Sequence, residues 1–407
     1  MKHMLRPFLA YFALLFMLLF MPSVVAPVHA IEAPLTYKVG GWSSLDLGYL
    51  GTDKSDMTFQ TNISDLRLNG TVKMGSFKLF AEFSFADEKI AYKNIYLSYA
   101  FPRAKGQETM TFGYMKEPLG MSYNTSEVCY HFVTRPHSVL SLKESRALGL
   151  LYTSNQPVYF LSQGVFYRPQ IDRLNTSAPS LEFSGRWVYR RSLESHRLIQ
   201  FGGAMTFSKR YADEDEPFVK LGTKINNPFG YTLNTSVSDV KQMYHINVEG
   251  LFLSAHYFVR GEFFLKDLKR SNAVNRAFNG QDIHSSLVHY SGAYIEAGAL
   301  LWGKPYAYDG KKASLGPLSP KSLELVARFN YTNLYDASLY AQDDEAIGWL
   351  EPRSDGGSLL SYTCGLNYRY SKSVIFYADY THNVLRQASY LGYESSNYIL
   401  ARCLIIF

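Results

Sequence analysis

Beyond residue 30 the chain has no uninterrupted apolar run approaching the roughly 20 residues a membrane-spanning helix requires. Any crossing of a bilayer must be made some other way. Cysteine is scarce too, and Cys129, Cys364 and Cys403 are an odd number for an exported chain, so they close no disulfide framework. They read as packing residues, with a lone reactive thiol at Cys129 as the alternative. No spacing of His, Cys and carboxylates reads as a metal site and no cofactor fingerprint is present, so no cofactor is expected. An excess of one charge is also lacking. Once Lys2 and Arg6 are taken from the 41 basic residues, 39 face 35 acidic ones at a net charge of about +4, too little to argue for nucleic acid as a partner.

Export is inferred from residues 1–30. Lys2, His3 and Arg6 give a basic start, residues 8–21 are free of charge, and Val28, His29 and Ala30 have the small-residue ending of a signal-peptidase site. The expected mature chain is 31–407, one domain. An uncleaved inner-membrane anchor is disfavoured because the apolar run is too short to span.

The chain is rich in aromatic residues, with 32 Tyr and 27 Phe. Rings with a polar tip suit a membrane interface, where one end is dry and the other wet. From Thr36 onward, runs of about 10 residues alternate apolar with polar and are separated by turn residues. In 65–74, Leu66, Leu68, Val72 and Met74 oppose Asp65, Arg67, Asn69, Thr71 and Lys73. In 181–190, Leu181, Phe183, Trp187 and Tyr189 oppose Glu182, Ser184, Arg186 and Arg190. About sixteen such runs occur, weakest near Tyr159 and over 290–301, which predicts an all-β transmembrane antiparallel barrel. The longer segments 212–237, 269–283, 306–320 and 335–357 are expected at one rim and short turns at the other.

A soluble sandwich also alternates, but here charges keep to one face of every strong strand. A lipid-facing Arg or Lys at mid-membrane costs on the order of 2 to 4 kcal/mol, so such segregation fits a water-filled barrel. Ile399, Ala401, Cys403, Ile405 and Phe407 alternate up to the carboxylate, as in the aromatic-ended last strand of outer-membrane barrels. The expected location is the outer membrane of a Gram-negative bacterium, among its lipids.

The stretch GYMKEPLGMSYNTS (113–126) leaves a strand through Lys116, Glu117, Pro118 and Gly120. Spacing alone favours a rim lysine in a surface loop. A polar, Gly- and Pro-rich loop is tolerated at membrane depth where it lines a water-filled cavity, and Lys116 would then stand in the lumen.

The stretch from 113 to 155, GYMKEPLGMSYNTSEVCYHFVTRPHSVLSLKESRALGLLYTSN, resembles the phosphate-selective porin O and P family, with Ser126, Arg135, Arg146 and Gly149 at matching places. Segments 184–205, 302–334 and 362–380 resemble the same family in order. Thr134 stands where the family usually has an acid, and Met121, Ser122 and Tyr123 replace an expected carboxylate. The resemblance implies a sixteen-stranded homotrimer whose inward loop narrows the pore and whose lumen cations draw small anions, phosphate among them. The candidate constriction and anion-binding residues are Lys116, Arg135 and Arg146, with Arg67, Lys73, Arg186, Arg190, Arg260, Arg328 and Arg369 on inner faces. Lys78, Lys266 and Arg402 share those faces. So do Asp65, Glu82, Glu182, Glu249, Glu262, Glu324 and Asp379, which makes a mixed lumen and leaves phosphate preference open.

Three other readings remain beside the anion channel. One is a general-diffusion or sugar-selective porin, and another a non-conducting receptor or structural barrel. An enzyme in the barrel wall is not expected, since His245, His256, His284, His289 and His382 accompany no nucleophile motif.

Overall fold

The computed structural model describes residues 34–52, 55–86, 90–102, 106–144, 146–168, 179–193, 196–211, 219–225, 232–237, 240–270, 274–276, 282–284, 287–336, 356–387 and 393–407. The expected signal segment, residues 1–30, lies outside them.

Sixteen strands form one closed antiparallel barrel. They are β1 (Leu35–Thr52), β2 (Ser55–Met74), β3 (Phe77–Ser84), β4 (Ala91–Phe101), β5 (Gln107–Met115), β6 (Ala147–Asn155), β7 (Tyr159–Arg168) and β8 (Ser180–Ser192). The rest are β9 (Leu198–Arg210), β10 (Val240–Leu253), β11 (Tyr257–Arg270), β12 (Leu287–Trp302), β13 (Ser322–Asn333), β14 (Gly357–Arg369), β15 (Val374–Gln387) and β16 (Tyr393–Ile406). Each pairs with its sequence neighbours, and β1 pairs with β16 from Trp42↔Ile406 to Thr52↔Ser396, so no edge is left open. The two runs that looked weak in sequence are the full strands β7 and β12.

The period-2 pattern decides the faces. Trp187, Tyr189, Phe201, Ile295, Leu325 and Tyr380 are exposed on the outside, while their neighbours Arg186, Gln200, Glu296, Glu324 and Asp379 are buried on the inside. A soluble sandwich would bury the first set and wet the second. The arrangement found suits lipid outside and water inside.

Tight connections at the rim shared with the termini include 75–76, 156–158, 254–256 and 370–373. The opposite rim carries the segment after β5 and the segment between β9 and β10. The long segment 306–320, expected with the other long loops at that opposite rim, instead lies within the connection 303–321 that joins β12 to β13 at the termini rim. Strand order settles this, because β12 runs toward the same rim as β2.

Among the described residues, three connections fold into the lumen. Residues 116–146 carry α1 (Met121–Asn124), a single 3-10 turn (Glu127–Cys129) and α2 (His137–Leu142). A two-stranded ribbon, Val219–Lys224 with Thr232–Val237, packs over α2 through Val219, Leu221, Leu233 and Val237, which share an apolar cluster with Val139, Leu142 and Phe264. Segment 303–321 enters from the termini rim and packs Tyr306, Leu315 and Leu318 against Phe258 and Leu251. Each fully buried Leu or Val is worth about 1.5 to 3 kcal/mol, so these insertions act as packed cores within the barrel.

Candidate functional site

The inward course of 116–146 begins at Gly120. Its φ of +154° belongs to the region that favours glycine, and a Cβ there would lie 3.2 Å from both Asn247 Oδ1 and Glu262 Oε2. From that turn the loop is fixed to the far wall residue by residue. The Ser122 amide donates to Glu262 Oε1 at 2.8 Å and the Val133 amide to Asp379 Oδ2 at 2.8 Å. Ser138 donates from its amide and its hydroxyl to Asn330 Oδ1 at 3.0 and 2.8 Å. Arg328 donates to Thr134 O and Arg402 to Val133 O, both at 2.7 Å. His131 reaches Glu324 Oε1 at 2.7 Å with Nδ1 and Gly316 O at 3.1 Å with Nε2, so one ring joins this loop to segment 303–321.

Both ends of the loop meet at Arg168. Its guanidinium donates to Glu117 at 2.6 Å, Glu144 at 3.0 Å and Glu182 at 2.9 Å, and Lys266 pairs with Glu144 as well. Burial beside Glu182 pushes the Glu117 carboxyl well above the usual carboxylate range.

Segment 303–321 is held by inward arginines. Arg186 forms a bidentate pair with Glu249 at 2.8 and 2.7 Å and donates to Lys312 O and Ala313 O at 2.6 and 2.7 Å. Arg190 donates to Gly310 O at 2.8 Å, and Arg369 to Leu318 O at 2.9 Å.

The sequence-named cations therefore divide into two groups. Arg190, Arg260, Arg328 and Arg369, expected along an anion path, are used as clamps. Arg260 pairs with Glu296 at 2.5 Å and Arg328 with the same carboxylate at 3.4 Å, while Arg190 and Arg369 bind backbone carbonyls. Arg186 touches the open lumen but is neutralised by Glu249. Arg135 stays within its own loop, donating to Ser122 O and Thr125 O at 3.2 and 3.0 Å and lying 3.6 Å from Glu127.

Lys116, Arg146, Arg67 and Lys73 do come together. They line an open passage of about 610 Å³ that runs between the inward loop and the β2–β7 wall. Arg67 is bound there by Asp65 at 2.7 Å and Glu127 at 2.5 Å. Lys116 Nζ donates to Tyr123 O at 3.0 Å and sits 5.1 Å from that ring, and Arg146 Nε donates to Asn94 Oδ1 at 3.2 Å. Both partners are neutral. Burial, then repulsion from Arg135, pushes the Lys116 ammonium well below its usual range. Arg67 and Arg135 hold Glu127 ionised against its burial, down to about 2.

Sequence reasoning missed Lys311 and Lys312, which line the same passage, because their segment had been assigned to the opposite rim. Lys73 stands directly across from Lys78 in the β2–β3 register, and Lys311 and Lys312 lie near enough to Lys78 to repel it. Among the described residues no carboxylate is within ion-pair distance of these four lysines. Strand parity could have indicated the rim of segment 303–321. The carboxylates that occupy the arginines carry no local signal.

The family model described as phosphate-selective porin O and P matches residues 38–390. No curated protein sequence matches the chain. Among solved structures, the anion-selective porin from Comamonas acidovorans is similar at a TM-score of 0.56 and 13% identity, covering 92% of this chain and 100% of that one. OmpT of Vibrio cholerae in a trimer form gives 0.54 and 10%, covering 91% and 100%. Pseudomonas putida OprB gives 0.53 and 8%, covering 91% and 94%.

Proposed function

The chain belongs to the phosphate-selective porin O and P family, and from that membership we propose a passive outer-membrane channel that passes small anions through the β2–β7 side of its lumen. The carrying observation is the group Lys73, Lys78, Lys311 and Lys312. Like charges directly opposite on neighbouring strands are destabilising. A pathway for anions is where such a group is useful, since each passing anion relieves the repulsion and then leaves. The clamped arginines hold the two inward loops that confine solutes to this side, while Lys116 and Arg146 form the narrow part. No chemical step is involved.

Reversal potential across a potassium chloride gradient in planar bilayers tests the proposal. Anion preference is expected for the native chain, with a several-fold loss when Lys73 and Lys78 are both replaced by Glu. No preference, or cation preference, in the native chain would return the reading to a general-diffusion or sugar-selective porin. Competition of phosphate with the chloride current reports whether phosphate is favoured. A homotrimer and removal of residues 1–30 belong to the same proposal and are read from the native oligomer mass and the mature N-terminus.

A further inference from the structure

One side of the passage is not charged. Phe80 on β3 and Tyr96 on β4 face each other in register on the lumen side, with ring centroids 5.1 Å apart and planes 31° from parallel. Continuing along the same level of the wall, Tyr96 is opposite Gly113, and Gly113 is opposite Gly149, with Tyr96 packed over the first glycine and the Phe166 ring over the second. Met115 and Leu151 border this floor and line the passage too. Lys78 is poised over the rings, with Nζ 5.0 Å from the Phe80 centroid, 5.3 Å from the Tyr96 centroid and 3.3 Å from the Tyr96 hydroxyl. A channel for small, fully hydrated inorganic ions gains nothing from wetting two aromatic rings. Yet the rings are half-buried and open to the passage, beside its unneutralised lysines.

We propose that the passage favours small aromatic carboxylates over aliphatic anions of equal charge, stacking the planar ring on Phe80 and Tyr96 while Lys78, with Lys73 and Lys312 nearby, holds the carboxylate. This rests on the channel reading above and deepens it. Offset stacking supplies the discrimination, and the ammonium groups supply the attraction that any anion feels. Binding to so shallow a wall remains weak enough for release.

The test compares sodium benzoate with sodium acetate as blockers of chloride current through the purified protein in planar bilayers. Benzoate should act at a concentration about fivefold lower than acetate, the scale expected of one stacked aromatic contact. Replacing both Phe80 and Tyr96 by Ser should bring the two blockers together, whereas Tyr96→Phe should keep them apart. Equal potency in the native channel overturns the inference while leaving an anion channel in place, as does a benzoate advantage that survives the double Ser exchange. A native channel without anion preference in potassium chloride overturns both this inference and the channel reading beneath it.

Discussion

Arg186 shows how a cation on a lumen face differs from a cation available to a solute. Its guanidinium is 1% exposed and meets Glu249, which is fully buried, through two hydrogen bonds. Breaking such a pair from one side leaves a stranded charge and typically costs about 3 to 5 kcal/mol. Arg186→Ala should therefore lower the temperature at which the barrel loses its folded, faster-migrating form in gels, and should shift ion preference less than Lys78→Ala does. Lys116 behaves in the opposite way. Neutral partners hold it on the lining of the lumen cavity, so on the proposed channel reading Lys116→Glu should lower anion over cation permeability several-fold, measured by reversal potential. The downward shift of its ammonium gives the sign of the pH effect: the charge is present at low pH and is lost, as pH rises, earlier than for an ordinary lysine. Anion preference should fall from neutral toward alkaline pH, and Lys116→Met should flatten that part of the curve. The sequence placed Arg186, Arg190, Arg260 and Arg328 correctly on the inner face, because alternation is local. It could not show that Glu249, Glu296 and loop carbonyls occupy them, because those partners arrive from residues far along the chain.

At the level of the element, the inward loop carries its own acid sensitivity. His137 opens α2, is 3% exposed, and touches Thr223 Oγ1 of the ribbon at 3.2 Å. Burial, and then Arg328, lowers it to about 3 from a free value near 6.5. Because the folded value is depressed, the stability it confers is complete above about 6.5 and is lost as pH falls toward 3. At pH 5 the loss amounts to about 2 kcal/mol. The amides of 137–142 should exchange hydrogen faster at pH 5 than at pH 7 after correction for intrinsic rates, and His137→Gln should remove most of that difference. Unchanged protection in the native chain would rule out this account of the loop. Spacing alone favours a rim position for Lys116, and the loop's inward path is implied instead by the family resemblance of 113–155, because the contacts that draw the loop inward come from Glu262, Asp379 and Asn330, far along the chain. The length of segment 306–320 points to the wrong rim. Direction along the chain, alternating with each strand, is the physical determinant.

The whole molecule depends on one seam. The barrel has no edge only because β16 returns to β1, and the last residue takes part: Gly41 N donates to Phe407 O at 2.9 Å and Phe407 N donates back to Gly41 O at 3.1 Å. The Phe407 ring covers Gly41 so closely that a Cβ there would fall 2.7 Å from ring carbon Cε2 and 2.2 Å from the Arg67 carbonyl oxygen on β2. Neither backbone neighbour can withdraw without giving up ladder hydrogen bonds, so a larger residue must push the closing strand away. An unclosed barrel leaves N–H and C=O groups facing hydrocarbon, where each unsatisfied group costs several kcal/mol. The alternation ending in Phe407 was readable from sequence as a closing strand, whereas the need for glycine at position 41 was not, since it arises only when residues 41, 67 and 407 meet. Gly41→Leu should therefore sharply reduce the fraction of chain recovered in outer membranes as the folded, heat-modifiable form, with the remainder appearing unfolded or degraded. Gly70→Ala, at a position with nothing within 4 Å of the added carbon, should assemble as the native chain does. Equal recovery of the two variants would show that closure tolerates a side chain at the seam, and would break the link drawn here between Phe407 and the sealed cylinder.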